Sequence, residues 1–315
     1  GLWWSKGKPS DQWGPGPGTS TNPVLHITRT WIGGTDAFAT QADWTPGGIP
    51  QAGDTAVLRS GNVSMTPGFG NGVNFNLQGG AMQFVLNGSF NTGTWTGSGS
   101  VMLGYPGQSP VVTTTGINLS GGELDIRQFL TDGVGLAILG NSSLTGGAVL
   151  NAQLIGTGSL PRAPIQNDGT MTINASTVQV GGLTGQGVVR ATNSSSITVI
   201  SASTGETVQL VSAHLYVGGG PIQSSTAMQF LAPITNFGAN SQITLNNTQA
   251  TSDIFVKSAP TAGELFLYNG TTLVADLHIS GQAHIYASNI APGLVPGSVL
   301  ITAHDTGHSL PIPMG

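Results

Sequence analysis

From Val24 onward, apolar residues recur at every second position in short runs broken by Gly, Asn and Ser. Gly72-Val73-Asn74-Phe75-Asn76-Leu77, Met82-Gln83-Phe84-Val85-Leu86, Glu123-Leu124-Asp125-Ile126, Met171-Thr172-Ile173, Thr177-Val178-Gln179-Val180, Ser196-Ile197-Thr198-Val199-Ile200 and Gln242-Ile243-Thr244-Leu245 all follow this rule. A period of two puts the apolar side chains on one face of a strand. Each run is only about four to six residues long, and turn signals such as Asn-Gly and Gly-Gly follow almost every one. The best helix candidate is 206–216, where Val208, Leu210 and Val211 pull back toward strand. The pattern therefore predicts an all-β protein of many short strands.

Repetition decides between a sandwich and a solenoid. Trp95-Thr96-Gly97-Ser98-Gly99-Ser100-Val101, Leu154-Ile155-Gly156-Thr157-Gly158-Ser159-Leu160 and Leu183-Thr184-Gly185-Gln186-Gly187-Val188-Val189 share one pattern, bulky-x-Gly-x-Gly-x-apolar. Ser120-Gly121-Gly122 and Thr145-Gly146-Gly147 form a related shorter cue. A solenoid needs such corners, because each coil stacks the same corner on its neighbour. At roughly 20–25 residues per coil, residues 60–300 would supply about ten to twelve coils and a rod roughly 50–60 Å long. In such a stack, outward positions repeat about every 4.8 Å, where like charges repel and Ser, Thr, Asn and Gln ladders fit.

Composition agrees with this picture. Only 7% of the 315 residues are charged and the net charge is −5, whereas soluble proteins carry about 25% charged residues. Gly (49) and Pro (18) are abundant, yet the mean hydropathy of +0.12 is unlike that of a disordered chain. Eight scattered Lys and Arg residues make no basic patch, which argues against nucleic acid. No apolar run approaches the roughly 18–20 residues of a membrane span. With no Cys, disulfides, thiolate metal sites and Cys nucleophiles are excluded. The sequence opens on Gly1 without a visible signal peptide, so a processed or trimmed start is expected.

Residues 1–23 stand apart. Trp3, Trp4 and Trp13 sit among Gly and Pro, ending in Gly14-Pro15-Gly16-Pro17-Gly18. Those prolines cannot enter a helix or donate to a ladder, so an extended arm is expected. Such an arm either stays mobile or, because exposed indoles are costly in water, docks on a surface.

Residues 24–59 contain Trp31-Ile32-Gly33-Gly34, Asp43-Trp44, Gly47-Gly48-Ile49-Pro50 and Gly53-Asp54-Thr55-Ala56-Val57-Leu58. Within it, Thr30 to Leu58 resembles the Trp…Trp…Gly-x-Pro…Gly-Asp-x-apolar module that opens the β-helical repeats of bacterial autotransporter-like adhesins and related surface proteins. Residues 84–104 and 165–200 resemble the passenger repeats of that group. The resemblance implies a bacterial surface protein with a β-helical fold, although no membrane β-barrel follows the repeats in this sequence. Trp31 and Trp44 would then cap the first coil, covering its apolar cross-section. A sugar-stacking platform is their alternative role.

Candidate chemistry is sparse. Glu123, Asp125 and Arg127 alternate and so share one strand face. Paired carboxylates can hydrolyse a glycosidic bond, but no second acidic cluster supports these, and a solvated ion trio is expected. His278 and His284, and separately His304, Asp305 and His308, could approach a metal, yet neither set has established ligand spacing. Eight Asn-x-Ser/Thr sequons, at Asn62, Asn87, Asn118, Asn141, Asn174, Asn193, Asn246 and Asn269, matter only in a eukaryotic secretory route. No phosphate loop, catalytic triad or dinucleotide fingerprint is present.

The sequence thus predicts a single parallel β-solenoid over 60–315, a capping module over 24–59 and an N-terminal arm over 1–23. The expected role is structural or adhesive, outside a bacterial cell and without enzymatic activity, cofactor or metal. The expected partner is the protein itself, joined head to tail through Trp3, Trp4, Trp13, Val24, Leu25 and Ile27. Surface polysaccharide is the second candidate partner. A polysaccharide-binding or polysaccharide-degrading β-helix is the rival function.

Overall fold

A computed structural model describes residues 25–129, 133–155, 164–218, 230–246, 248–281, 285–289 and 298–303. Among these, the one helical element is the 3-10 turn Gln41–Asp43; the remainder is strand and turn. Ten short strands stack in parallel as one sheet: Thr35–Ala37, Asn62–Ser64, Ala81–Phe84, Ser100–Leu103, Glu123–Phe129, Val149–Ile155, Thr177–Gln179, Ser196–Val199, His214–Val217 and Gln242–Leu245. At one strand spacing per rung, that stack is roughly 43 Å long. The chain is a parallel β-solenoid.

The period-two pattern explains the core. Val63, Met82, Val101, Leu124, Leu150, Val178, Ile197, Leu215 and Ile243 stand in direct register from rung to rung. All are buried, and burial of each such side chain contributes about 1.5–3 kcal/mol. No rung could stand alone, because a single turn cannot bury its apolar row without its neighbours.

The other strands of the stacked turns form the other two sides of a triangular cross-section. Two long strands, Gly88–Gly97 and Pro110–Ser120, run continuously over both sides. Val111 to Thr114 pair with the strand Gly135–Ile138, whereas Asn118 to Ser120 pair with residues of the next strand, Ser142–Thr145. At the bend, Trp95 Nε1 donates to Thr92 Oγ1 at 2.8 Å, satisfying two buried polar groups inside the turn.

The corner leading into the ten-strand sheet needs left-handed backbone. Gly97 (φ 106°), Gly121 (73°) and Gly146 (61°) supply it in early turns, whereas Ala175 (47°), Asn193 (52°), Ser212 (56°) and Asn236 (56°) supply it later. A Cβ on Gly97 would lie 2.2 Å from the Leu77 carbonyl oxygen, so that corner also requires close backbone approach.

Several expectations change. The bulky-x-Gly-x-Gly pattern does not mark one repeated corner. Gly97 ends a strand that leads into the ten-strand sheet, whereas Gly185 ends the strand Gly182–Gly185 of another side. Its other copy runs into residues 156–163, outside the described residues. The helix candidate 206–216 is two strands, Thr207–Val211 and His214–Val217, separated by Ser212 at positive φ. Val208 and Leu210 point inward with period two, and that outweighs local helix preference.

The coil count is lower than the ten to twelve expected. Seven turns, from Gly88 to Leu245, have strands or a bridge on all three sides. The earlier rungs close their third side with loops such as 65–73. Among the described residues, the last rung of the ten-strand parallel stack is Gln242–Leu245, whereas the solenoid was expected to run on to 315. Ser252–Ala259, Ala262–Asn269 and Thr272–Ser280 form an antiparallel meander joined to the solenoid through the parallel pair Ile234–Ile279. Val299–Ala303 pairs antiparallel with Gln242–Leu245, and Ile285–Asn289 lies antiparallel beyond it. Reversing strand direction terminates the stack, as repeat proteins require at their ends.

Candidate functional site

The N-terminal end is built around two tryptophans. The strand Thr28–Trp31 lies between Thr55–Leu58 and the short antiparallel strand Trp44–Thr45. Trp31 and Trp44 meet edge to face at 5.0 Å, and Phe38 packs on Trp44 at 5.2 Å. Trp44 Nε1 donates to the Phe38 carbonyl at 3.0 Å. Both indoles are only 2% exposed, so neither offers a ring face to a sugar.

Asp54, from the Gly53-Asp54 pair of the opening module, ties the incoming chain to this end. Its carboxylate accepts the Ile27 N–H at 2.7 Å and the Gln51 N–H at 2.9 Å, and Arg29 Nε stands 3.6 Å away. Burial alone would raise its pKa, but the two N–H groups and the Arg29 charge outweigh burial and hold it below the ordinary carboxylate range. Leu25 and Ile27, expected among the assembly residues, precede the first strand and do not belong to it. Leu25 is 82% exposed. Trp3, Trp4, Trp13 and Val24 lie outside the described residues.

The outer face of the ten-strand sheet carries the remaining candidates. Gln83, Met102, Asp125, Asn151, Gln179, Thr198, Tyr216 and Thr244 form one outward column in register. Beside it run Ser100, Glu123, Val149, Thr177, Ser196, His214 and Gln242. Glu123, Asp125 and Arg127 share this face as expected, but the trio is not uniformly solvated. Glu123 is exposed while Asp125 is buried, and Arg127 Nε donates to Asp125 Oδ2 at 2.6 Å. Alternation alone could not reveal this burial.

His214 is the group on this face that sequence reasoning missed. Its ring stacks on Tyr216 at 3.9 Å and 21°, and Nε2 lies 2.8 Å from Thr244 Oγ1. Burial pushes its pKa down to about 4, so the imidazole is neutral at pH 7. The sequence signal was weak, a His two positions before a Tyr on a period-two strand. Glu123 and His214 stand in one column four rungs apart, roughly 19 Å. That is too far for both to act on one bond.

The histidine sets stay apart or undescribed. His278 Nδ1 lies 3.3 Å from Glu264 Oε1 on the antiparallel meander, where both side chains are about half exposed. His284, His304, Asp305 and His308 lie outside the described residues. Among the described residues, no three His, Asp or Glu side chains gather to hold a metal ion, and no helix is long and apolar enough to cross a membrane.

No family model, curated protein or solved structure matches the chain. The likeness to autotransporter passengers therefore rests on the β-solenoid fold and the motifs of the opening module.

Proposed function

We propose that the protein is a structural or adhesive β-solenoid of the bacterial cell exterior that assembles with copies of itself, head to tail. The observation that carries this reading is the outer surface. Asn76, Thr96, Asn118, Ser143, Thr172, Arg190, Gln209 and Thr235 form an outward column in register with one charge among eight side chains. Neighbouring rungs on the outer faces are stitched by side chains: Gln83 Nε2 donates to Ser64 Oγ at 2.6 Å, Ser143 Oγ to Asn118 Oδ1 at 3.1 Å, and Asn193 Nδ2 to Asn174 Oδ1 at 2.7 Å. Such ladders stiffen a rod without an electrostatic barrier to contact between copies.

Apolar side chains at both ends support end-to-end contact. Leu25 and Ile32 are exposed at the N-terminal end, and Ile254 and Val256 on the antiparallel meander. The arm 1–23, with its three indoles, is the element proposed to cross to the next copy. A head-to-tail contact of this kind does not close on itself. Light scattering across a concentration series tests the role of the arm. The full chain should grow with concentration, and a chain lacking residues 1–23 should not. A full chain that stays monomeric at high concentration refutes assembly, and identical growth of both chains refutes the arm.

The rival reading, a polysaccharide-binding or polysaccharide-degrading β-helix, is favoured by Glu123 and the stacked His214–Tyr216 pair on one outer face. Sugar cleavage by the wild type that disappears in E123A/D125A would replace the structural reading.

A further inference from the structure

One carboxyl group inside the solenoid has no evident place in a purely structural rod. Glu206 is fully buried, at the corner before the strand Thr207–Val211. Asn167, also fully buried, ends the strand Pro164–Asn167. These two residues belong to turns separated by one intervening turn, yet Asn167 Nδ2 donates to Glu206 Oε2 at 3.3 Å. The pair can meet because the turn between them passes this corner as Gly185-Gln186-Gly187. A Cβ on Gly187 would lie 2.2 Å from Asn167 Nδ2, so the missing side chain leaves the channel that joins the pair. The Gly-x-Gly spacing here serves a polar contact as well as a bend.

The pair is half complete. Glu206 Oε1 and Asn167 Oδ1 are both buried without a hydrogen-bond partner. Both are acceptors if Glu206 is ionised, so they cannot satisfy one another. One proton changes this, because a carboxylic acid and a primary amide are complementary, each donating once and accepting once. We propose that Glu206 is held as the neutral acid, donating from Oε1 to Asn167 Oδ1 while accepting from Asn167 Nδ2, as a proton-dependent clamp across alternate turns of the solenoid. When the clamp opens, the proton passes to bulk water and a carboxylate is left in the core.

The surroundings favour the neutral form. Burial is the largest influence on Glu206 and lifts its pKa to about 7; Asp168 adds repulsion, and hydrogen bonds from Asn167 and the Gly187 N–H oppose these only in part. The strand Val188–Thr192 packed alongside carries Arg190, which points outward and is exposed, and residues 230–237 of the next turn carry no ionisable side chain. At Glu206 the folded chain therefore holds up to one proton more than the unfolded chain between about pH 4.5 and about pH 7. This contribution is complete below the unfolded value and is lost as pH rises through the folded value. His214, pushed down to about 4, acts in the opposite direction below pH 6.5, so only a comparison against a Glu206 variant isolates the clamp.

The chain has three glutamates, Glu123, Glu206 and Glu264, which makes carboxyl-carbon NMR of the full chain labelled at glutamate a direct probe. The signal missing from E206Q should titrate near pH 7. For stability measurements, E206Q is the reference, since it offers Asn167 a second amide and needs no proton. Between pH 5 and pH 8, the folding equilibrium constant of the wild type should fall by roughly 10²-fold relative to E206Q. If E206Q fails to fold, E123Q and E264Q assign the remaining signal by elimination. A Glu206 signal titrating below pH 5 overturns the proposal, as do parallel stability profiles for wild type and E206Q.

Discussion

Single side chains carry the ends and the outer face of this molecule, and burial separates residues that look alike in sequence. Glu123 and Asp125 alternate on one strand, but only Asp125 is buried and bonded to Arg127 at 2.6 Å. Replacing both with Ala would be nearly silent if both were solvated, since surface changes fall within about ±0.5 kcal/mol. Asp125→Ala instead removes the acceptor from Arg127 and should cost about 1–2 kcal/mol, with Glu123→Ala remaining within the surface range. Urea unfolding of the two single variants at pH 7 checks the contrast, and equal costs would refute it. Asp54 shows the same lesson. The sequence displayed a Gly-Asp pair, whereas its role, receiving Ile27 and Gln51 N–H groups beside Arg29, depends on residues up to 27 positions away.

At the scale of strands and corners, the period-two runs were readable because inward residues have little freedom. Val178, Ile197 and Leu215 occupy one column, and a slip of one residue would turn every apolar side chain outward. Corners were less readable. Left-handed backbone is supplied by Gly in the early turns and by Ala175, Asn193, Ser212 or Asn236 in later ones, so the glycine signal fades although the geometry persists. Gly97 is where both demands coincide, positive φ and a carbonyl 2.2 Å from an added Cβ. Gly97→Ala should therefore destabilise the chain by more than about 1 kcal/mol. The equivalent change at Gly147, where an added Cβ meets nothing within 4 Å, carries only the cost of its positive φ. Thermal unfolding followed by circular dichroism compares the two. A Gly97→Ala chain no less stable than Gly147→Ala would contradict this view of the corner.

For the whole molecule, fold class and core were legible in the sequence, but extent was not. The C-terminal meander alternates apolar and polar residues just as the rungs do: Leu265 and Leu267 are buried, as Leu215 and Val217 are. Periodicity reports which face is buried and is silent on whether the next strand runs parallel or antiparallel. The candidate site was partly legible for the same reason. A shared face could be read from alternation, but the stacking of His214 on Tyr216 and the meeting of Asn167 with Glu206 depend on which turn lies above which.

The central claim is that this weakly charged rod joins end to end along its own axis. Cryo-electron microscopy of the full chain at high concentration tests it most directly. End-to-end growth predicts unbranched filaments in which the strand spacing of about 4.8 Å runs along the filament axis, so that strands lie across the fibre and the capped solenoids follow one another in line. A field of separate rods at every concentration, or filaments with the strand spacing perpendicular to their axis, would contradict it.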